Sequence, residues 1–285
     1  MSTSLKNWIR VLLLFSILGV ILFAPPSSSL AADTKGKLEE VKTLKPNTVY
    51  KYDLNGDGKL ESLQYKVSVK EEQHTATLKL YIDKKLRLTK EEDGLSFRIY
   101  ILDVNQSDKY MDLFIHTVLE SDCADDAFFV QYDGSKLVHS TAFQPQDLTK
   151  DLNIYRYSLS STDGKGKFTL TIDTPVYSPS IGCYYSFVSF QLKNEKISLT
   201  TAKTFTLSET SKTYRYEAAK TISTYKTAGS KTVAYKLKKG DTVTFDKMYL
   251  SKTGTVYFRM INGKKQSGWI RSDLDNLFVE LPLWG

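Results

Sequence analysis

The sequence predicts an all-β fold, and three observations carry that expectation. Apolar and polar residues alternate in Tyr65-Lys66-Val67-Ser68-Val69, Thr77-Leu78-Lys79-Leu80-Tyr81, Phe97-Arg98-Ile99-Tyr100-Ile101 and Phe168-Thr169-Leu170-Thr171-Ile172. A period of two puts every second side chain on one face of a strand. The chain holds 18 tyrosines and 14 phenylalanines, rings that suit half-buried pleated surfaces. After residue 32 no stretch keeps an apolar stripe of helical period.

The first segment sets the expected compartment. Lys6 and Arg10 precede an uncharged apolar run from Val11 to Ala24, and Ser29-Leu30-Ala31 follows with small residues. A basic start, a short apolar run and a small-residue exit make up a cleavable secretory signal. Residues 1–31 are therefore read as a signal peptide, with an uncleaved N-terminal anchor as the alternative, and the protein as secreted, extracellular or associated with a cell wall. The apolar run falls short of the ~20 residues a membrane helix needs, and nothing after Ala32 approaches that length. No membrane span is expected in the mature chain. Residues 32–46 are charged and poor in large apolar groups, so they read as a leader.

The formal net charge is +7, but lysines and acids are interspersed, which describes a solvated surface and gives no nucleic-acid partner. Cys123 and Cys183 are the 2 cysteines. In an oxidising compartment a disulfide between them is expected, and it would stabilise by roughly 4 kcal/mol in the chain-entropy view. Two buried free thiols are the alternative.

A repeat runs through residues 47–203. Asp53 opens a polar loop and is followed by Asp83 in Leu80-Tyr81-Ile82-Asp83-Lys84-Lys85-Leu86. At the same interval Asp103 is followed by Asp133 in Val130-Gln131-Tyr132-Asp133-Gly134-Ser135-Lys136-Leu137. A worn third copy starts at Asp163 and leads to Phe190-Gln191-Leu192-Lys193-Asn194-Glu195-Lys196-Ile197. Each unit reads as a loop, a strand and a hairpin with a polar tip, an antiparallel β-repeat domain. Residues 201–213, rich in Thr, Ser and Lys, mark a join, with 204–211 as linker and 212–285 as a second domain.

Asp53-Leu54-Asn55-Gly56-Asp57-Gly58-Lys59-Leu60-Glu61 is the most specific motif. Oxygens at alternate positions let a backbone fold around one hard cation, and Ca²⁺ takes six to eight such ligands. Asp53, Asn55 and Asp57 would give side-chain oxygens, Lys59 its carbonyl and Glu61 the closing carboxylate. A plain Asn-Gly and Asp-Gly turn that binds nothing is the alternative. With the acid in the ninth place, the loop resembles the DxDxDGxxD loops of FG-GAP and VCBS-type repeats, the blades of integrin-like β-propellers. That resemblance implies a propeller-blade-like or partial-propeller domain with calcium as its ion. The loop from Asp103 to Asp112 departs from the pattern: Ser107 replaces a carboxylate, Asp108 the turn glycine, and the closing acid comes one place late.

The C-terminal residues carry Thr224-Tyr225-Lys226-Thr227, then Tyr235-Lys236-Leu237-Lys238-Lys239-Gly240-Asp241-Thr242-Val243. Val256-Tyr257-Phe258-Arg259-Met260, Gly263 and Gly268-Trp269-Ile270 follow. In this order they resemble a bacterial SH3-like (SH3b) domain, over residues 212–285. Gly240 and Gly268 read as turn residues of a small barrel. The resemblance implies contact with peptidoglycan or another cell-surface ligand. Tyr225, Tyr249, Tyr257 and Trp284 are the ligand-binding candidates, because flat rings give contact area at low entropy cost, while Trp269 reads as core.

Catalysis finds little support. Ser121-Asp122-Cys123-Ala124 faintly resembles the nucleophile segment of NlpC-type cysteine peptidases, but Asp125-Asp126 would raise a thiol pKa. The 3 histidines form no HxH or HxxxH pair for zinc. The expected function is thus binding and not an enzyme activity, with a cell-wall or glycan hydrolase as the alternative, since paired carboxylates converge only in space.

Overall fold

A computed structural model describes residues 40–120, 123–144, 154, 156–200 and 203–283. The signal segment, the start of the leader and Trp284 lie outside the described residues. Antiparallel strands dominate, as the alternation predicts, and none of the sheets closes on itself. Among the described residues no helix is long and apolar enough to cross a membrane.

Three four-stranded meanders follow one another. The first is β2 (Tyr50–Tyr52), β3 (Glu61–Lys70), β4 (Thr75–Ile82) and β5 (Lys85–Asp93), after a short β1 (Lys42–Thr43). The second is β6 (Ser96–Leu102), β7 (Asp112–Val118), β8 (Ala124–Tyr132) and β9 (Leu137–Phe143), with β1 on its edge. The third is β10 (Arg156–Thr162), β11 (Lys167–Ser178), β12 (Gly182–Lys193) and β13 (Lys196–Leu199). In each, an Asp loop joins the first two strands and a polar hairpin the last two. Asp83-Lys84 and Asn194-Glu195 turn with all four φ values between 50° and 63°, the left-handed pair that a two-residue hairpin demands. The third copy is worn in sequence yet complete in topology.

The middle sheet has apolar layers on both faces. All of β7 is buried. Leu113 and Ile115 join the core with Leu63, Leu78 and Leu80 of the first sheet. Phe114 joins Phe129, Phe143, Phe168 and Phe190 on the other side, with Phe114 and Phe129 ring centroids 4.7 Å apart. A strand covered on both faces needs an almost continuous apolar run, which explains Leu113-Phe114-Ile115. Among the described residues the stack stops at the first sheet, whose outer face carries exposed Lys66, Ser68 and Lys79. A further sheet there would have to desolvate lysines.

Neighbouring Asp loops touch. Met111 N–H donates to Leu54 O (3.0 Å), and Gly166 N–H to Val104 O (2.7 Å), the same contact one repeat later. Gly56 has φ +71°, and a Cβ there would lie 2.4 Å from Lys109 O, so only glycine permits that approach.

The expected linker is corrected. Thr204–Leu207 is strand β14, paired with β12 on one side and with β18 (Thr242–Leu250) on the other. Ser208 then caps a short helix, α1 (Glu209–Thr213), its hydroxyl accepting from Ser211 N–H (3.3 Å). The C-terminal part adds β15 (Tyr216–Glu217), β16 (Ile222–Tyr225), β17 (Val233–Leu237), β19 (Val256–Asn262) and β20 (Ser267–Arg271). Its core residues Phe245, Met248 and Phe258 belong to the same cluster as Phe168 and Phe190. The two parts are therefore one compact unit, because Phe205 and Leu207 alternate inward and carry the core across the join.

Two other expectations change. The leader's end enters the fold, where β1 pairs with β6 and Leu44 is buried. Cys123 and Cys183 are free thiols, so the expected disulfide is not formed. They belong to different sheets: Cys123 precedes β8, whereas Cys183 lies in β12, its N–H donating to Pro282 O (3.0 Å). Burial, with Asp173 nearby, pushes the Cys183 thiol pKa up, which makes it a poor nucleophile at neutral pH.

Candidate functional site

The Asp53 loop closes on its own amides. Asp53 Oδ1 and Oδ2 accept from Asp57 N–H (3.1 Å) and Gly58 N–H (2.9 Å). Asn55 Oδ1 accepts from Asp57 N–H (2.9 Å), and Asp57 Oδ1 from Lys59 N–H (2.8 Å). Buried Glu61 takes Leu54 N–H on Oε2 (2.8 Å) and Asn55 Nδ2 on Oε1 (3.3 Å). Burial raises the Glu61 pKa, and the charges of Asp57 and Asp53 add to it against the opposing Leu54 amide bond. The oxygen-only donor set suits a hard cation. Among the described residues no three His, Cys, Asp or Glu side chains are arranged to hold a metal. The second loop closes in the same way despite its extra residue, Val104 N–H donating to Asp112 Oδ2 (2.9 Å).

Three of the four aromatic candidates come together. Tyr249 and Tyr257 are cross-strand partners, ring centroids 6.3 Å apart, and Tyr225 pairs with Trp269. Trp269 stands edge-on to Tyr249 at 6.1 Å. It is half-buried, so the expectation that it packs in the core is corrected. Period two sends Phe258, Met260 and Ile270 inward and Tyr257, Arg259 and Trp269 outward. Gly268 makes no turn. It lies within β20, and a Cβ there would fall 2.3 Å from buried Thr224 Oγ1. Tyr225, Tyr257, Trp269, Lys231 and Arg271 line a groove of about 340 Å³. Arg259 Nε donates to Asp246 Oδ1 (2.8 Å) on the same face, with a second contact between the pair, so the platform is braced beside the rings.

A second concavity lies elsewhere, a cleft of about 890 Å³ between the second and third meanders. Val104, Phe129 and Leu192 give it apolar surface; Asn105, Gln131, Thr141 and Gln191 give it amides and a hydroxyl. Asp112 is among the lining residues, almost fully buried, with Oδ1 accepting from Gln131 Nε2 (2.9 Å). Burial lifts the Asp112 pKa to about 7, against the Val104 and Gln131 hydrogen bonds and helped by Asp108 and Asp103. Across the cleft, His139 Nδ1 meets Glu195 Oε1 at 2.5 Å. Sequence reading noted Asp112 only as a late closing acid and missed His139, Gln131, Gln191 and Glu195. These residues are far apart in the chain, and no spacing signals their convergence.

Comparison with protein-family models, with curated proteins and with solved structures finds no match to this chain.

Proposed function

We propose that this chain is a secreted bacterial binding protein whose C-terminal part, an SH3-like module, docks on peptidoglycan. The observation that carries the reading is the convergence of Tyr225, Tyr249, Tyr257 and Trp269 on one braced sheet face beside Lys231 and Arg271. Rings contact sugar and peptide surfaces, and the cations suit a polymer that carries carboxylates. The three meanders serve as a partial stack of propeller-like blades that supports this module.

Purified peptidoglycan should retain the mature chain, and Trp269→Ala or Tyr257→Ala should weaken retention about tenfold, as expected for a central aromatic anchor. Retention no better than that of an inert basic protein would sink the docking reading. Time-dependent release of soluble fragments would instead make the chain a hydrolase.

Calcium at Asp53, Asn55, Asp57, Lys59 and Glu61 is part of the same proposal. Its support is the buried Glu61 carboxylate beside two more acids, a repulsion that a divalent cation relieves. A loop of this extracellular kind binds at about 10⁻⁴ to 10⁻³ M. Millimolar calcium should raise the melting temperature, and Asp57→Ala should abolish that rise. Identical melts with calcium and with chelator would leave a turn that needs no ion.

A further inference from the structure

We infer that the cleft between the second and third meanders is a second binding site, and that it takes a short neutral carbohydrate chain. It goes beyond the aromatic face of the C-terminal part, shares no lining residue with it, and does not depend on peptidoglycan docking.

The size is right. At about 890 Å³ the cleft lies within the ~300–1,000 Å³ typical of small-molecule sites. Its chemistry selects among ligands of that size. Asn194 presents a whole amide, and Asn105 and Gln131 keep a second amide N–H beyond their bonds to Asp108 and Asp112. Gln191 keeps its oxygen while its Nε2 faces the Lys165 and Leu192 carbonyls (3.4 Å each), and Thr141 and Tyr110 each bring a hydroxyl. Groups that both donate and accept match a ligand whose own groups do the same, which is the chemistry of sugar hydroxyls. Val104, Phe129 and Leu192 offer apolar surface for the C–H faces of the rings.

The carboxylates in the cleft already accept hydrogen bonds from its own residues and its lysines are solvated, so little demand is left for an ionic ligand. Glu195 is paired with His139. Asp112 is held by Val104 N–H and Gln131 Nε2. Asp108 accepts from Tyr110 N–H (2.9 Å) and Asn105 Nδ2 (3.0 Å). Lys165 and Lys193 are exposed and solvated.

The site is also built ahead of any ligand. His139 has φ +53° inside β9, where the β8–β9 register shifts after Phe129. A left-handed non-glycine residue in a strand is strained, and such bulges re-aim side chains next to functional sites. The re-aimed imidazole reaches Glu195 in the hairpin of the third meander, itself at φ +56°. The pair ties the two walls together, and a preformed cleft lowers the entropic cost of binding. Gln131 is fixed by its bond to Asp112, which leaves its carbonyl oxygen available to accept from a ligand hydroxyl.

The test is calorimetric titration of the mature chain with cellotetraose, maltotetraose and chitotetraose, beside tetralysine and tetraglutamate. At least one saccharide should bind, and Gln191→Ala and Tyr110→Ala should each weaken it about tenfold. Tyr225→Ala should leave it unchanged, and the melting curves of the two cleft variants should show that they remain folded. His139→Ala, which keeps the lining amides, should weaken binding less than Gln191→Ala. Binding of a charged peptide in place of every saccharide would overturn the inference. So would saccharide binding that survives both cleft substitutions, or no saccharide binding at all.

Discussion

Asp112→Asn is expected to stabilise the protein above pH 7 by on the order of 4 kcal/mol, and the gain should fade as the pH falls toward 4. The Asp112 pKa is about 7 in the fold against 3.8 for the free group, and each unit of difference corresponds to about 1.4 kcal/mol. A raised carboxyl contributes stability that is fully present below pH 3.8 and is lost as the pH rises through 7, where the buried group must ionise. Asparagine removes that ionisation. Its oxygen still accepts from Val104 N–H, and Gln131 can turn its amide to accept from the new NH₂. His116 has the opposite sign. It is buried against Tyr100, Phe114 and Tyr157, and burial lowers its pKa to about 4 from 6.5, against the opposing Thr117 carbonyl. The unfolded chain therefore takes up the proton first, and stability worth about 3 kcal/mol is lost between pH 6.5 and 4. The two groups oppose each other over that interval, so the parent protein should change little. Urea titrations at pH 4.5, 6 and 8.5 should show Asp112→Asn losing stability on acidification and His116→Phe gaining it. Parallel slopes for the two variants and the parent would refute both assignments.

Phe205→Ala should cost about 3–5 kcal/mol, the usual range for a buried phenylalanine, and unfolding should remain a single transition. Phe205 is buried in β14, opposite Met248, in the cluster that runs from the third meander into the C-terminal strands. A solvated linker residue would change stability by less than 0.5 kcal/mol. Differential scanning calorimetry separates the outcomes: two transitions, or a negligible shift, would mean that the halves fold independently.

Much of this was legible before any coordinates. Period two in the segments around Tyr65, Thr77, Phe97 and Phe168 marked strands, because alternation is a property of the residues themselves. The Asp loops and polar hairpins marked the repeat for the same reason, turn chemistry being local. The join was misread because Thr204–Leu207 alternates over only four residues, too few to stand out from the Thr, Ser and Lys around them. Trp269 was misread because the face of β20 that points inward depends on the close approach of Thr224 to Gly268.

The sequence by itself determined the strands, the turns and the threefold order of loop, strand and hairpin, since each depends only on neighbouring residues. Tertiary structure alone decided which strands share a core, that the cysteines stay apart, and that Asp112, Gln131, His139 and Glu195 border one cleft. The reason is physical: burial and convergence depend on which sheet faces lie against each other, and that is set by the packing of side chains distant in the chain.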